Sequence, residues 1–195
     1  MTFKLIVIGA SLGGVSALEV LLAGLPKNFP VPVAIVQHRH KDSNDDKLRS
    51  ALQQYSHLAI AEPQDKEEIL PGTVYLAPAD YHLQVEGRNN AIPHPYFSLS
   101  VDAPVTYARP SIDVLFETAA DAYADKVIGV LLTGANHDGT QGLARIRARG
   151  GKTVVQEPST AYCAIMPKAA IAADVVDKSL PLADIAPFLV KICHI

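Results

Sequence analysis

The sequence predicts an α/β fold: a doubly wound, mostly parallel sheet (Rossmann-like) with an antiparallel edge hairpin. Short apolar runs closed by glycine or a polar residue alternate with segments of helical apolar spacing. The chain opens on a β-turn-α-β-α pattern, the start of a doubly wound sheet. Its middle breaks that alternation with short β-like runs separated by turn residues.

Leu5–Gly9 (LIVIG) reads as a buried parallel strand, apolar until its closing glycine. After Gly13-Gly14, VSALEVLLAGLP spaces its apolar residues helically and stops at Gly24 and Pro26. Val33–Gln37 is a second buried strand, and Asp45–Tyr55 a polar-faced helix. Thr73–Ala77, Tyr81–Gly87 and Asn89–His94 read as short strands joined at Asp80 and at Gly87-Arg88-Asn89-Asn90. They are expected to form an antiparallel hairpin or meander at a sheet edge. Alternation then resumes: helix Ser111–Tyr123, strand Val127–Gly134, helix Thr140–Arg149 and strand Lys152–Gln156. Helix Pro167–Ala172 and a terminal helix near Leu182–Lys191 complete the pattern.

The 195 residues suit a single domain over 1–195, without repeat, low-complexity tract or linker. Hydrophobic residues at 49% and charged residues at 19% exclude an intrinsically disordered chain. Seventeen Lys and Arg against 20 Asp and Glu give a net charge of −3 with no basic run, which argues against nucleic acid as a partner. No apolar stretch approaches the roughly 20 residues that span a bilayer, so direct membrane insertion is not expected. Cys163 and Cys193 are too few for a disulfide framework and form no CxxC. A cytoplasmic protein is the expectation.

Parallel strands point their carboxyl ends to one edge, where active sites of such sheets lie. Polar clusters follow three of the inferred strands: Gly9-Ala10-Ser11-Leu12-Gly13-Gly14, Gln37-His38-Arg39-His40, and Thr133 to Gly139. Ser11, His38 and Asp138 supply a nucleophile, a base and an orienting acid at that edge. Gly9, Ser11 and Gly13 match G-x-S-x-G, which sets serine on a sharp strand-to-helix turn beside a helix N-terminus able to stabilise an oxyanion.

Other readings compete. Ser11 could cap the helix at Gly13, and Asp138 the helix starting near Thr140. A dinucleotide loop would need glycine where Ser11 stands, and an acid where Gln37-His38 ends the second strand. An ordinary α/β-hydrolase would run serine, acid, histidine, with the serine after several strands. His38, His40, His137 and Asp138 offer metal-ligand types without a specific spacing. Among the histidines, only His38 directly follows an inferred buried strand.

The chain resembles the catalytic domain of the chemotaxis protein-glutamate methylesterases (CheB type). Agreement runs through IGASLGG (8–14), VQH (36–38), LPGTVYLAPADYHL (70–83), RPSIDVLFETAA (109–120), LLTGANHDGTQGL (131–143), GGKTVVQEP (150–158) and MPKAAI (166–171). The resemblance implies Ser11 as nucleophile, His38 as base and Asp138 as the acid that orients it. Backbone N–H groups of Leu12, Gly13 and Ala135 become the oxyanion candidates. It implies hydrolysis of glutamate γ-methyl esters on the helical cytoplasmic bundle of methyl-accepting chemotaxis-type receptors, often with glutamine deamidation, and no metal or organic cofactor.

The sequence departs from the family pattern at Leu12, where threonine or serine is usual, and at Ala135 and Asn136, which replace methionine and glycine. Asn136 is expected to shift its loop, since glycine reaches backbone angles that other residues avoid. Many family members also carry an N-terminal receiver domain. This sequence opens at Met1 directly before the first strand, so regulation is expected from a separate receiver protein or to be absent. A receptor- or partner-binding module without turnover is the alternative to the enzyme.

Overall fold

The computed structural model describes residues 3–43, 45–87 and 94–193. Its strands and helices are, in chain order, β1 (Leu5–Ala10), α1 (Gly14–Ala23), β2 (Val33–Gln37), α2 (Asp45–Gln53), β3 (Ala59–Ala61), β4 (Thr73–Leu76), β5 (His82–Glu86) and β6 (Tyr96–Ser100). There follow α3 (Ile112–Tyr123), β7 (Val127–Leu131), α4 (Thr140–Ala148), β8 (Lys152–Gln156), α5 (Ile165–Ala172), β9 (Lys178–Leu180) and α6 (Leu182–Ile192). Seven strands make one sheet in the order β3-β4-β2-β1-β7-β8-β9, and every pairing is parallel.

Strand alternation divides the core between the two faces. Ile6, Ile8, Val33, Ile35, Ile128 and Val130 pack on one side with Leu18 and Leu21 of α1 and Ile185 and Leu189 of α6. On the other, Leu5, Val7, Ala34 and Val36 meet Leu115 and Phe116 of α3, Leu143 and Ile146 of α4 and Met166 of α5. Residues of β1 and β2 are buried on both faces, which is why these strands read as unbroken apolar runs. Gly9 interrupts β1 for a reason: a Cβ there would lie 2.4 Å from Ile112 Cγ2. The missing side chain lets the N-terminus of α3 close onto the end of β1.

Two expectations about the middle of the chain change. Thr73–Leu76 does not belong to a hairpin but joins the main sheet between β3 and β2. The hairpin exists, pairing His82–Glu86 with Tyr96–Ser100, and it is hydrogen-bonded as its own two-stranded sheet. The strand expected at Asn89–His94 lies mostly outside the described residues. Leu83, Val85 and Phe97 bury the hairpin's apolar side in the core that holds α3. Among the described residues no helix is long and apolar enough to cross a membrane.

Candidate active site

β2, β1 and β7 are adjacent at the centre of the sheet. From β1 the chain builds outward through β2, whereas β7 returns to its opposite side, so the connections reverse between β1 and β7. Such switch points leave a crevice at the carboxyl ends of the strands. The three polar clusters therefore meet there.

Backbone bonds extend the ladder past the strand ends and pin the serine turn on both sides. His38 N donates to Ala10 O at 2.9 Å, Leu132 N to Gly9 O at 2.9 Å and Ser11 N to Thr133 O at 3.0 Å. Buried Gln37 donates through Nε2 to the carbonyls of Ser11 and His38, both at 2.9 Å. Thr133 Oγ1 donates to Leu12 O at 2.9 Å and accepts from Cys163 N at 2.8 Å, while Thr133 N donates to Gln156 Oε1 at 2.9 Å. Gly13, at φ 79°, supplies the left-handed residue that turns the chain into α1. It is the N-cap of that helix and no side chain caps it, so Ser11 Oγ is not spent on capping.

His38 and Ser11 line one cavity of about 370 Å³ together with Leu12, Gly13 and Gly14. Asp138 is fully buried and takes the Nε2–H of His38 at 2.8 Å. That bond fixes the tautomer and leaves the lone pair on Nδ1. Asn136 Nδ2 stands 3.3 Å from Nδ1, and among the described residues Ser11 Oγ makes no hydrogen bond to His38. The backbone N–H groups of Leu12, Gly13 and Ala135 are free of hydrogen-bond partners among the described residues, whereas Gly134 N donates to Cys163 O at 3.0 Å.

Asp138 does cap a helix, though not the one local sequence suggested. Its Oδ2 accepts from Ile112 N at 2.7 Å, and its Oδ1 from Asp113 N and Ser111 Oγ, both at 2.9 Å. It thus closes the N-terminus of α3. Burial works against its charge, but the bonds from His38, Asp113 N and Ile112 N outweigh it and hold the carboxyl below the ordinary aspartate range.

The CheB methylesterase family model matches residues 6–189. The chain belongs to this family. A Leptospira interrogans protein named "Putative protein-glutamate methylesterase/protein-glutamine glutaminase" is 46% identical over 98% of this chain and 96% of its own length. The Thermotoga maritima protein-glutamate methylesterase/protein-glutamine glutaminase is 35% identical over 97% of this chain and 54% of its own. The chain therefore spans about half the length of that relative. The crystal structure of the Thermotoga maritima CheB methylesterase catalytic domain superposes with a TM-score of 0.92 at 34% identity, covering 98% of this chain and all of that one.

Several residues of this CheB-family site escaped sequence reasoning. Asp113 accepts from Gly139 N at 2.9 Å and Gly142 N at 2.7 Å through one oxygen, Oδ1, and so closes the N-terminus of α4. The helices are thus capped reciprocally: the acid that precedes α4 caps α3, and an acid in the first turn of α3 caps α4. Gln37, Thr133 and Gln156 carried a visible signal, being polar residues at the ends of apolar strands. His82 is buried, accepts from Ser111 N at 3.2 Å and contacts Ala103 O at 3.2 Å, a structural histidine beneath α3. His40 is exposed beside Asp42, and His137 lines a different cavity with Asp113 and Thr140. Among the described residues no three His, Cys, Asp or Glu side chains form a metal-holding group. His194 lies outside the described residues. Asn136 is absent from the positive-φ residues, so its backbone keeps an angle that a non-glycine residue adopts without strain.

Asp113 carries a pH consequence. Burial raises its carboxyl to about 7, with the Gly142 N–H opposing and the neighbouring Asp138 charge adding. The native state therefore holds a proton that the unfolded chain, with an ordinary aspartate pKa of about 3.9, has already released. Asp113 thus costs stability above pH 7, and the cost is relieved as pH falls from 7 towards 4. Asp138, held low, acts in the opposite sense, losing its stabilisation only in strong acid. Asp113→Asn keeps an Oδ1 acceptor for both glycines without the charge. It is expected to raise the thermal midpoint at pH 8 and to flatten the change between pH 8 and 5, as thermal melts across that range will read.

Proposed function

We propose that this protein hydrolyses glutamate γ-methyl esters, and deamidates glutamine at equivalent positions, using Ser11, His38 and Asp138. The substrate is the helical cytoplasmic bundle of a methyl-accepting chemotaxis-type receptor, and the site of action the cytoplasm. The observation that carries this reading is the 2.8 Å bond from His38 to the buried Asp138, with His38 lining the same cavity as Ser11.

Ser11 Oγ attacks the γ-carbonyl carbon and passes its proton to His38 Nδ1, the nitrogen that Asp138 leaves unprotonated. The developing oxyanion is met by the free N–H groups of Leu12, Gly13 and Ala135. Collapse of the tetrahedral intermediate breaks the ester C–O bond, and His38 returns the proton to the departing methoxide, giving methanol. Water then attacks the acyl-enzyme with His38 again as base, releasing glutamate and restoring Ser11. Asp138 stays ionised and stabilises the imidazolium. The reaction needs no metal or organic cofactor, so a chelator is expected to leave it unchanged.

Methanol release from methylated receptor tests this directly. The wild-type protein is expected to release methanol, His38→Ala to be nearly inactive, and His40→Ala and His137→Ala to retain most activity. Receptor binding without methanol release by the wild type would replace the enzyme with a binding module.

A further inference from the structure

We infer that Asn136 is a positioning residue that locks the general base in the resting enzyme; this rests on the esterase reading above. Asp138 takes His38 Nε2–H at 2.8 Å, so Nδ1 is the only nitrogen left to receive the serine proton. Asn136 Nδ2 occupies that nitrogen at 3.3 Å. The orientation of the amide follows from its other end. Asn136 Oδ1 accepts from Asp138 N at 3.1 Å, and an N–H can be met only by the oxygen, which turns Nδ2 towards His38. An amide nitrogen donates and does not accept, so it consumes the lone pair that catalysis requires. The His38–Asp138 half of the relay is thus assembled while the Ser11–His38 half is not.

The position of Asn136 suits this role. It is half-buried and lines a cavity of about 600 Å³ with His38, Arg39, Asp80 and Arg109, while Ser11 lies in the other cavity that His38 borders. The imidazole is therefore approached by Asn136 on the side of one cavity and also borders the other, which Ser11 lines. For reaction to begin, Ser11 Oγ–H must displace the amide from Nδ1.

Asn136→Ser separates the contacts: its hydroxyl can still accept from Asp138 N but is too short to reach His38. Asn136→Gly removes both. The readout is phosphonylation of Ser11 by a fluorophosphonate, in which an Oγ–P bond forms, fluoride leaves and the serine proton passes to His38. Loss of one hydrogen bond from the resting state predicts phosphonylation about two- to tenfold faster in Asn136→Ser. kcat for methylated receptor should rise with KM unchanged. In wild-type protein labelled with ¹⁵N, the neutral imidazole of His38 should show Nε2 protonated and Nδ1 shifted as a hydrogen-bond acceptor. That measurement holds even if a variant misfolds. Equal or slower phosphonylation of folded Asn136→Ser, or an Nδ1 signal of a free lone pair, overturns the lock. Wild-type protein that neither reacts at Ser11 nor releases methanol overturns the esterase reading itself, and the lock with it.

Discussion

Ser11→Ala is expected to lower methyl-ester turnover by about four to six orders of magnitude, as loss of a serine nucleophile does elsewhere, while leaving the thermal midpoint nearly unchanged. The separation follows from how the turn is built. Its structural bonds use the Ser11 backbone: N to Thr133 O, and O from Gln37 Nε2 and Gly14 N. Alanine keeps all of them. The hydroxyl caps no helix, since Gly13 is the N-cap of α1 without a side-chain bond. Removing it therefore subtracts chemistry and little else. Turnover and thermal melts on the same preparation decide the matter: retained turnover would exclude a serine nucleophile, and a large drop in midpoint would make Ser11 structural.

Asp138→Asn is expected to damage both activity and stability. Oδ2 of Asp138 receives His38 Nε2–H and Ile112 N–H, while Oδ1 receives Asp113 N–H and Ser111 Oγ–H. An asparagine can place its carbonyl oxygen at only one of these positions. The amide nitrogen at the other then faces two donors, or forces His38 into the wrong tautomer. A comparable acid-to-amide change in a serine protease lowers turnover about 10⁴-fold. One buried donor left unmet adds a stability loss of roughly 1–3 kcal/mol. Asp138→Ala removes all four acceptor contacts and should be less stable still. Near-normal turnover in Asp138→Asn would reduce the residue to a cap for α3 and leave Ser11 and His38 as a dyad.

Local sequence made Asp138 look like a cap for the helix that follows it, because proximity along the chain is all that a sequence displays. Its actual partner is the N-terminus of α3, more than 20 residues upstream, brought there by the approach of Ile112 to Gly9. The reciprocal role of Asp113 was invisible for the same reason. By contrast, Ser11, His38 and Asp138 were legible as candidates, because parallel strands deliver their carboxyl ends to one edge whatever their order. The central strands were legible too, since burial on both faces writes an unbroken apolar run. The edge strands β3 and β9 have three residues each and are partly exposed, which leaves no such pattern. Thr73–Leu76 was misplaced because a short apolar run looks alike in a hairpin and in a parallel sheet, and only the pairing with β2 and β3 distinguishes them. The bond from Asn136 to His38 needed side-chain geometry.

Covalent catalysis by Ser11 with His38 as base passes through an acyl-enzyme that can be trapped. Acid-quenching the wild-type protein during turnover of methylated receptor, followed by proteolysis and mass spectrometry, tests it most directly. An acyl-enzyme is expected on the peptide containing Ser11, its mass increased by the receptor fragment less methanol, with no such adduct in Ser11→Ala. Turnover with no adduct at any quench time, or with the adduct on Cys163 instead, would contradict it.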